Sequence, residues 1–534
     1  MKILYTIWQA FAGIGREMRW SYLPPLMVYM AFGIAGLTSI VGTFFVKDQL
    51  NLSAEFLAAL GFWAGIPWAL KMPVGHMVDL FWRWKSLFIF FGAGLLATSM
   101  LIMIGLLANP ELMLQYTTAE IWFVVAALLA PTGYVIQDVV ADAMTVEAVP
   151  EVDTHGNPLS LQAIKTAHMT MQTLGRVAIV GGGLLVAFVN LVLFQGTEPE
   201  NMQETYVFVY QLAMLIPVVS VGGVLFAFFL KRKRAVEMRA NGLDDAEIER
   251  LLNPQALEKV SPNWLILGGS AVYAVFTIGM GLSSFHYAQE VIFIGSMAIV
   301  LFLMSRLVKE LPEASRMPLI ATAVVIFVFR AIPNPGAGAG WWQIDVLGFD
   351  QGFFAVLGMI GSVLALLGML LLRRWMAEKP ITYVVGFLAV VGGVLSLPII
   401  GMYYGLHEWT SALTGGIVDA RFIAVIDTAL ESPLGQVAMI PMLAWIANNA
   451  PNHMKATFFA VMASFTNLAL SASQLGTKYL NQVFTVTREV TDRVTGAVTV
   501  PADYSQLGVL LITVTVLAVI LPLVAILLMR KWAQ

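Results

Sequence analysis

Charged residues interrupt several of the long apolar runs in this sequence. Lys71 follows Trp68 in PWALKMPVGHMVD; Asp138, Asp142 and Glu147 lie in QDVVADAMTVEAVP; Arg176 lies in QTLGRVAIVGGG and Arg330 in FVFRAIPNPG. A charge at the centre of a bilayer costs about 2.5 to 3.5 kcal/mol on insertion scales, so each embedded charge is a candidate functional site. Asp138 and Asp142 are spaced i, i+4 and share a helix face, where two like charges in low dielectric push at least one pKa upward. A carboxyl poised in that way can carry a proton. Asp138, Asp142 and Glu147 are therefore proton-coupling candidates, Asp142 foremost, with Arg176 as its partner in one state of a cycle. A static buried ion pair that only fixes helix packing fits the same residues.

Cations suit another task. Lys71, Arg176 and Arg330 could hold a carboxylate or phosphate on a substrate, with snorkelling of Lys71 to the cytoplasmic interface as the lesser alternative. Arg330 stands beside Pro333 and Pro335, which expose backbone carbonyls. Trp68 and Phe329, with Trp63, flank these charges and could stack on a planar ligand. Gly75, Asp79, Arg83 and Lys85 form G-x-x-x-D-x-x-x-R-x-K, which concerns gating: glycine permits close helix approach and the carboxylate can bond a neighbouring helix end. Asp427 with Glu431, and Glu290 with His286, read as mostly solvated.

The elements that must position these residues are membrane spans. The chain has 534 residues, 59% hydrophobic and 12% charged, against about 25% charged in soluble proteins. Apolar runs fall near Leu26–Val46, Phe56–Phe81, Ser86–Ala108, Glu120–Val146, Leu161–Phe194 and Tyr206–Leu230. After a hydrophilic stretch come Trp264–Ser284, Tyr287–Val308, Pro318–Asn334, Gly352–Leu372, Pro380–Tyr404, Phe422–Ile446, Lys455–Phe484 and Leu507–Met529. The total is about fourteen. Threading them with both termini in the cytoplasm puts about twenty-two basic residues inside, including Arg83, Lys85, Lys231 to Arg234, Arg306 and Lys309, and about five outside, such as Lys47, Arg488 and Arg493. A cytoplasmic membrane and both termini inside are the expectation.

Internal similarity organises the spans. KDQLNLSAEFLAALGFWAG from Lys47 aligns without gaps on IDVLGFDQGFFAVLGMIGS from Ile344, matching Asp48 to Asp345 and Gly61 to Gly358, with Ser53 and Asp350 as helix N-caps. The expected layout is an interfacial segment over 1–24, a six-helix half over 25–230, a cytoplasmic linker over 231–263, an inserted hairpin over 264–310 and a second six-helix half over 311–534. The hairpin reads as a spacer beside the bundle. At the second-half positions matching Asp138 and Asp142, the stretch around Met439 and Leu443 is apolar. Two six-helix halves around a cavity is transporter architecture, and a single chain holding both halves suffices as a monomer.

Other classes fit less well. Net charge is only -3, with the basic residues spread through short loops, so no nucleic-acid surface is indicated. There is no cysteine and the six histidines are scattered, which offers no metal centre, no resident cofactor and no nucleophile with a base. An enzyme is not expected. A receptor or assembly factor on a transporter fold is the alternative of another class.

GFWAGIPWALKMPVGHMVD, QDVVADAMTVEAVP, FVFRAIPNPGAGAGWWQIDVLGFDQGFFAVLG and IPMLAWIANNAPNHMKATFFAVMASFTNLALSASQLGTKYL, in this order, resemble the folate-biopterin transporter family of the major facilitator superfamily. The resemblance implies an all-α polytopic membrane protein, a major facilitator fold of two six-helix halves plus the hairpin. It marks Lys71, Asp138, Asp142, Glu147, Arg176, Arg330 and Pro333. It also implies proton-coupled import of a folate, pterin or similar charged metabolite, with protons and a small solute as partners. The Q-D-x-V-x-D-A motif is similar to one in a muropeptide permease, which makes amino-sugar peptides the alternative substrate.

Overall fold

A computed structural model describes residues 18–530 apart from 51, 70, 150–158, 196, 253–263, 265–267, 269–271, 273–274, 278, 282, 284, 310, 373–374, 376–378, 435–454 and 492–496. Most of the interfacial segment, much of the hairpin's first arm, and Met439 and Leu443 lie outside these residues. The apolar runs become helices because a chain in lipid must satisfy every backbone group internally.

In chain order the helices longer than the five-residue turn Pro110–Leu114 are α1 (Leu23–Gly33), α2 (Ser39–Gln49), α3 (Ala54–Ala69), α4 (Lys71–Leu80), α5 (Lys85–Ala108), α6 (Ala119–Ala148), α7 (Leu161–Phe194), α8 (Met202–Ala213), α9 (Leu215–Ala240), α10 (Asp245–Leu252) and α11 (Ala288–Lys309). Then follow α12 (Glu313–Arg330), α13 (Ala337–Asp345), α14 (Gln351–Leu371), α15 (Ile381–Leu395), α16 (Leu397–Tyr403), α17 (Leu406–Leu413), α18 (Ala420–Glu431), α19 (Lys455–Val483) and α20 (Leu507–Met529). Among the described residues, nine helical stretches are long and apolar enough to cross a membrane. The expected N-caps form: Ser53 Oγ accepts from the Phe56 N–H and Asp350 Oδ1 from the Phe353 N–H. The loop before α20 adds a two-stranded antiparallel ribbon, Val490–Thr491 with Val498–Val500, built from alternating Val and Thr.

The chain divides into two compact units whose boundaries cut across the expected ones. One holds Met1–Thr38, Pro73–Val189 and Pro199–Tyr273; the other holds Ser39–Met72, Asn190–Glu198 and Ala274–Gln534. Residues 39–72, from the first half of the sequence, belong to the second unit because α3 lies along α19.

The first unit is packed through small residues. A Cβ at Gly33 would stand 2.2 Å from the Ile179 carbonyl oxygen, and one at Gly92 2.7 Å from that of Gly133, so α1 meets α7 and α5 meets α6 backbone to backbone. At Gly75 a Cβ would be 3.9 Å from Val139, an ordinary contact. The close approach expected at Gly75 is therefore made elsewhere, at glycines inside the helix crossings. In the second unit one core joins Val300, Met304 and Val308 of α11 to Leu319 and Ile326 of α12 and to Phe465 and Leu468 of α19. The second arm of the hairpin is thus part of the core and not a spacer beside it, because its apolar residues recur every fourth position on one stripe.

Candidate functional site

In the first unit the acids of α6 meet a tyrosine. Val139, Val140 and Ala141 are buried, while Asp138 is half-buried and Asp142 is exposed. The Tyr29 hydroxyl of α1 donates to Asp142 Oδ1 at 2.7 Å. Asp138 and Arg176 also lie within electrostatic reach of Tyr29. The ring reaches this position because residue 175 is glycine: a Cβ there would stand 3.0 Å from the Tyr29 ring. Asp142 is thereby held by a buried phenol, with Asp138 and Arg176 within its electrostatic reach. A carboxylate accepting from a phenol can take up a proton, and taking it up forfeits the charge that strengthens the Tyr29 hydrogen bond. The arrangement can therefore report protonation to α1.

Glu147 stands apart from this group. Its Oε1 is 2.7 Å from Lys85 Nζ, with both side chains largely out of solvent. Lys85 also lies 4.2 Å over the Trp82 ring. The structure thus pairs a residue read as proton-coupling with one read as gating, and the bond ties the end of α6 to the start of α5. Gly75 and Asp79 lie on α4 and Arg83 is exposed in the turn that follows.

In the second unit Arg330 ends α12, half-buried, and its Nε donates to the Thr466 carbonyl of α19 at 3.1 Å. The chain leaves the helix there and resumes as α13, turning through Gly336 at φ +79°. The freed backbone groups are met by a row on α19: Ser473 Oγ donates to the Ile332 carbonyl at 2.6 Å, Thr477 Oγ1 accepts from the Asn334 N–H at 3.0 Å, and Asn481 Nδ2 donates to the Pro335 carbonyl at 3.3 Å. These three stand four residues apart on one helix face. A broken helix survives in lipid when neighbouring side chains satisfy it in this way, and the break holds Arg330 in place.

Lys71 begins α4, half-buried. Trp68, also half-buried, offers its carbonyl to Asn467 Nδ2 at 3.2 Å. Phe329 packs against Val384 and Leu388 of α15, so it contributes to the core. The expectation that Glu290 is solvated is corrected: its Oε1 accepts from Lys478 Nζ at 3.0 Å and from the Tyr479 hydroxyl. His286 is exposed. Asp427 is half-buried, with Oδ1 out of solvent and no hydrogen-bond partner among the described residues.

The two copies of the internal repeat meet at their matching aspartates. Lys47 Nζ is 3.2 Å from Asp48 and 2.6 Å from Asp345, and Asp345 also accepts from Tyr504. Outside the transmembrane helices, burial and the neighbouring Asp345 push the Tyr504 phenol well above its ordinary range. Reasoning from charge alone missed Tyr29, Ser473, Thr477 and Asn481, which are uncharged. The spacing of the last three, set against the Pro333–Pro335 break, is the signal that could have found them.

The model of the BT1 family matches residues 32–534. A folate-biopterin transporter of Synechocystis sp. (strain ATCC 27184 / PCC 6803 / Kazusa) is 22% identical over 458 residues, 85% of this chain and 74% of that protein. Among solved structures, a POT family transporter in complex with 5-aminolevulinic acid superposes with TM-score 0.60 at 12% identity, covering 98% of this chain and 97% of that one. The nucleoside transporter NupG (D323A mutant) gives 0.54 at 11% identity, covering 96% and 100%. These structures share the fold, an all-α polytopic membrane transporter.

Proposed function

This chain belongs to the BT1 family of membrane transporters, and we propose that it is a proton-coupled symporter importing a folate, a pterin or a similar anionic or zwitterionic metabolite by alternating access. The observation that carries the reading is the Tyr29–Asp142 hydrogen bond, with Asp138 and Arg176 around it. A scaffold or receptor has no use for a costly acid pair in an apolar helix. Asp142 takes the proton on a carboxylate oxygen from the outer side and gives it up inside, with Asp138 one turn away on the same helix face. Each event changes the bond to Tyr29 and so the hold on α1.

The substrate anion is held by Arg330 and Lys71, which belong to the second unit. The Lys47–Asp345 pair closes the outer end, and Lys85–Glu147 acts at the inner end. That orientation follows from the excess of Lys and Arg assigned to cytoplasmic loops, with both termini inside an energised cytoplasmic membrane.

The test is uptake of labelled folate or pterin into proteoliposomes with and without an inward proton gradient. Gradient-driven accumulation that is lost in Asp142→Asn supports symport. Binding without accumulation points to a receptor and sinks it. Competition by unlabelled muropeptide, stronger than by unlabelled folate, would move the substrate to amino-sugar peptides.

A further inference from the structure

The second arm of the inserted hairpin grips a seam between a helix of the first half of the sequence and one of the second. α3 comes from the first half of the sequence and α19 from the second, and the two run antiparallel in continuous contact. Gln482 Nε2 donates to Glu55 Oε1 at 2.5 Å, a Cβ at Gly61 would stand 2.8 Å from the Gln474 side chain, one at Gly65 would stand 3.4 Å from Ser471 Oγ, and Asn467 bonds the Trp68 carbonyl. On the alternating-access reading, rocking of one six-helix half against the other parts these two helices, which are packed together in this conformation.

Two adjacent residues in the first turn of α11 reach the two sides of the seam. Gln289 Nε2 donates to the Ala59 carbonyl of α3 at 3.2 Å, while Glu290 takes Lys478 and Tyr479 of α19 on a single oxygen. Lys478 and Glu290 are 10% and 19% exposed, so this pair is little screened by solvent. Further along, Val300, Met304 and Val308 of α11 share a core with Val461, Met462 and Phe465 of α19. α11 is therefore fastened to α19 over its length and reaches α3 at its first turn.

We infer that the first turn of α11 is a latch: the ion pair with α19 fixes the register of the turn, and Gln289 then holds α3 closed against α19. The inserted hairpin sets the balance between the closed and the open seam. This rests on the alternating-access reading above.

The chain contains no cysteine, so Ser471→Cys supplies a lone reporter inside the seam. Ser471 is 1% exposed and its hydroxyl has no hydrogen-bond partner among the described residues, so the replacement disturbs little. Labelling by a membrane-impermeant maleimide is followed on the full chain in right-side-out membrane vesicles. Adding Glu290→Gln or Gln289→Ala is expected to speed labelling roughly 2- to 10-fold, the population change that loss of an ordinary hydrogen bond produces. Reversing the pair, Glu290→Lys with Lys478→Glu, is expected to slow it again. Unchanged labelling in both single variants overturns the latch, and so does a rise that the reversed pair leaves in place, since that reports misfolding. Uptake of labelled folate is measured alongside. Glu290-dependent labelling without uptake by the otherwise unaltered chain sinks the substrate reading and keeps the latch; uptake with labelling indifferent to Glu290 sinks the latch alone.

Discussion

The two units use polar groups inside an apolar protein in opposite ways. In the first, Asp138 and Asp142 sit one turn apart on a face that is partly open, and a neutral hydroxyl, Tyr29, holds one of them. In the second, polar groups are committed to fixed cross-ties. Arg330 binds a backbone carbonyl, Ser473, Thr477 and Asn481 bind the broken segment between α12 and α13, and Glu290 and Asp345 each hold a lysine and a tyrosine. A group that must change protonation needs a partner it can release, whereas a group that holds a substrate or a seam needs a geometry that does not drift. On the proposed reading, proton chemistry belongs to the first unit and anchoring to the second.

The sharpest way to break that division is Asp142→Asn, which is expected to abolish gradient-driven accumulation in proteoliposomes while leaving substrate binding measurable. If accumulation persists and is lost instead in Asp427→Asn, the division is wrong. Arg330→Gln comes next. Losing a charge-assisted contact to an anion is expected to weaken binding by roughly 10- to 150-fold, read by isothermal calorimetry or competition, with the pH dependence of uptake retained.

Thr477→Val probes the cross-ties themselves. It leaves the Asn334 N–H without its acceptor and is expected to lower stability by about 1 to 3 kcal/mol, seen as a lower midpoint in thermal unfolding followed by tryptophan fluorescence. Tyr29→Phe removes a single donor from Asp142 and is expected to cost about 0.5 to 1.5 kcal/mol while displacing the pH profile of uptake. A profile that stays put would detach Tyr29 from the coupling.

The smallest effect is expected in the loop before α20. There the Ser505 side chain and backbone hold the Asp503 carboxyl below its usual range. A depressed folded pKa contributes stability above the unfolded value of about 3.9 that is lost as pH falls through the folded one. Asp503→Asn should remove that acid-side decline in melting temperature, leaving the behaviour of both units otherwise unchanged.

Much of this was legible in the residues. Apolar length and low charge dictated helices in lipid, because no other open structure satisfies the backbone there. The i, i+4 spacing of Asp138 and Asp142 placed them on one face, and the Lys47–Ile344 repeat pointed to Ser53 and Asp350, both of which cap helices. Periodicity fixes which residues share a face of their own helix, and charge in an apolar run shows without any fold.

Partners across helices are different, since nothing in local sequence says which face meets which. Only the tertiary structure decided that Glu147 belongs with Lys85, that Tyr29 answers Asp142, and that a glycine at 175 makes room for its ring. It also decided that residues 39–72 pack with the second unit and that α11 lies in its core. Those outcomes depend on interhelical packing, in which side chains 62 or more positions apart compete for the same few ångströms.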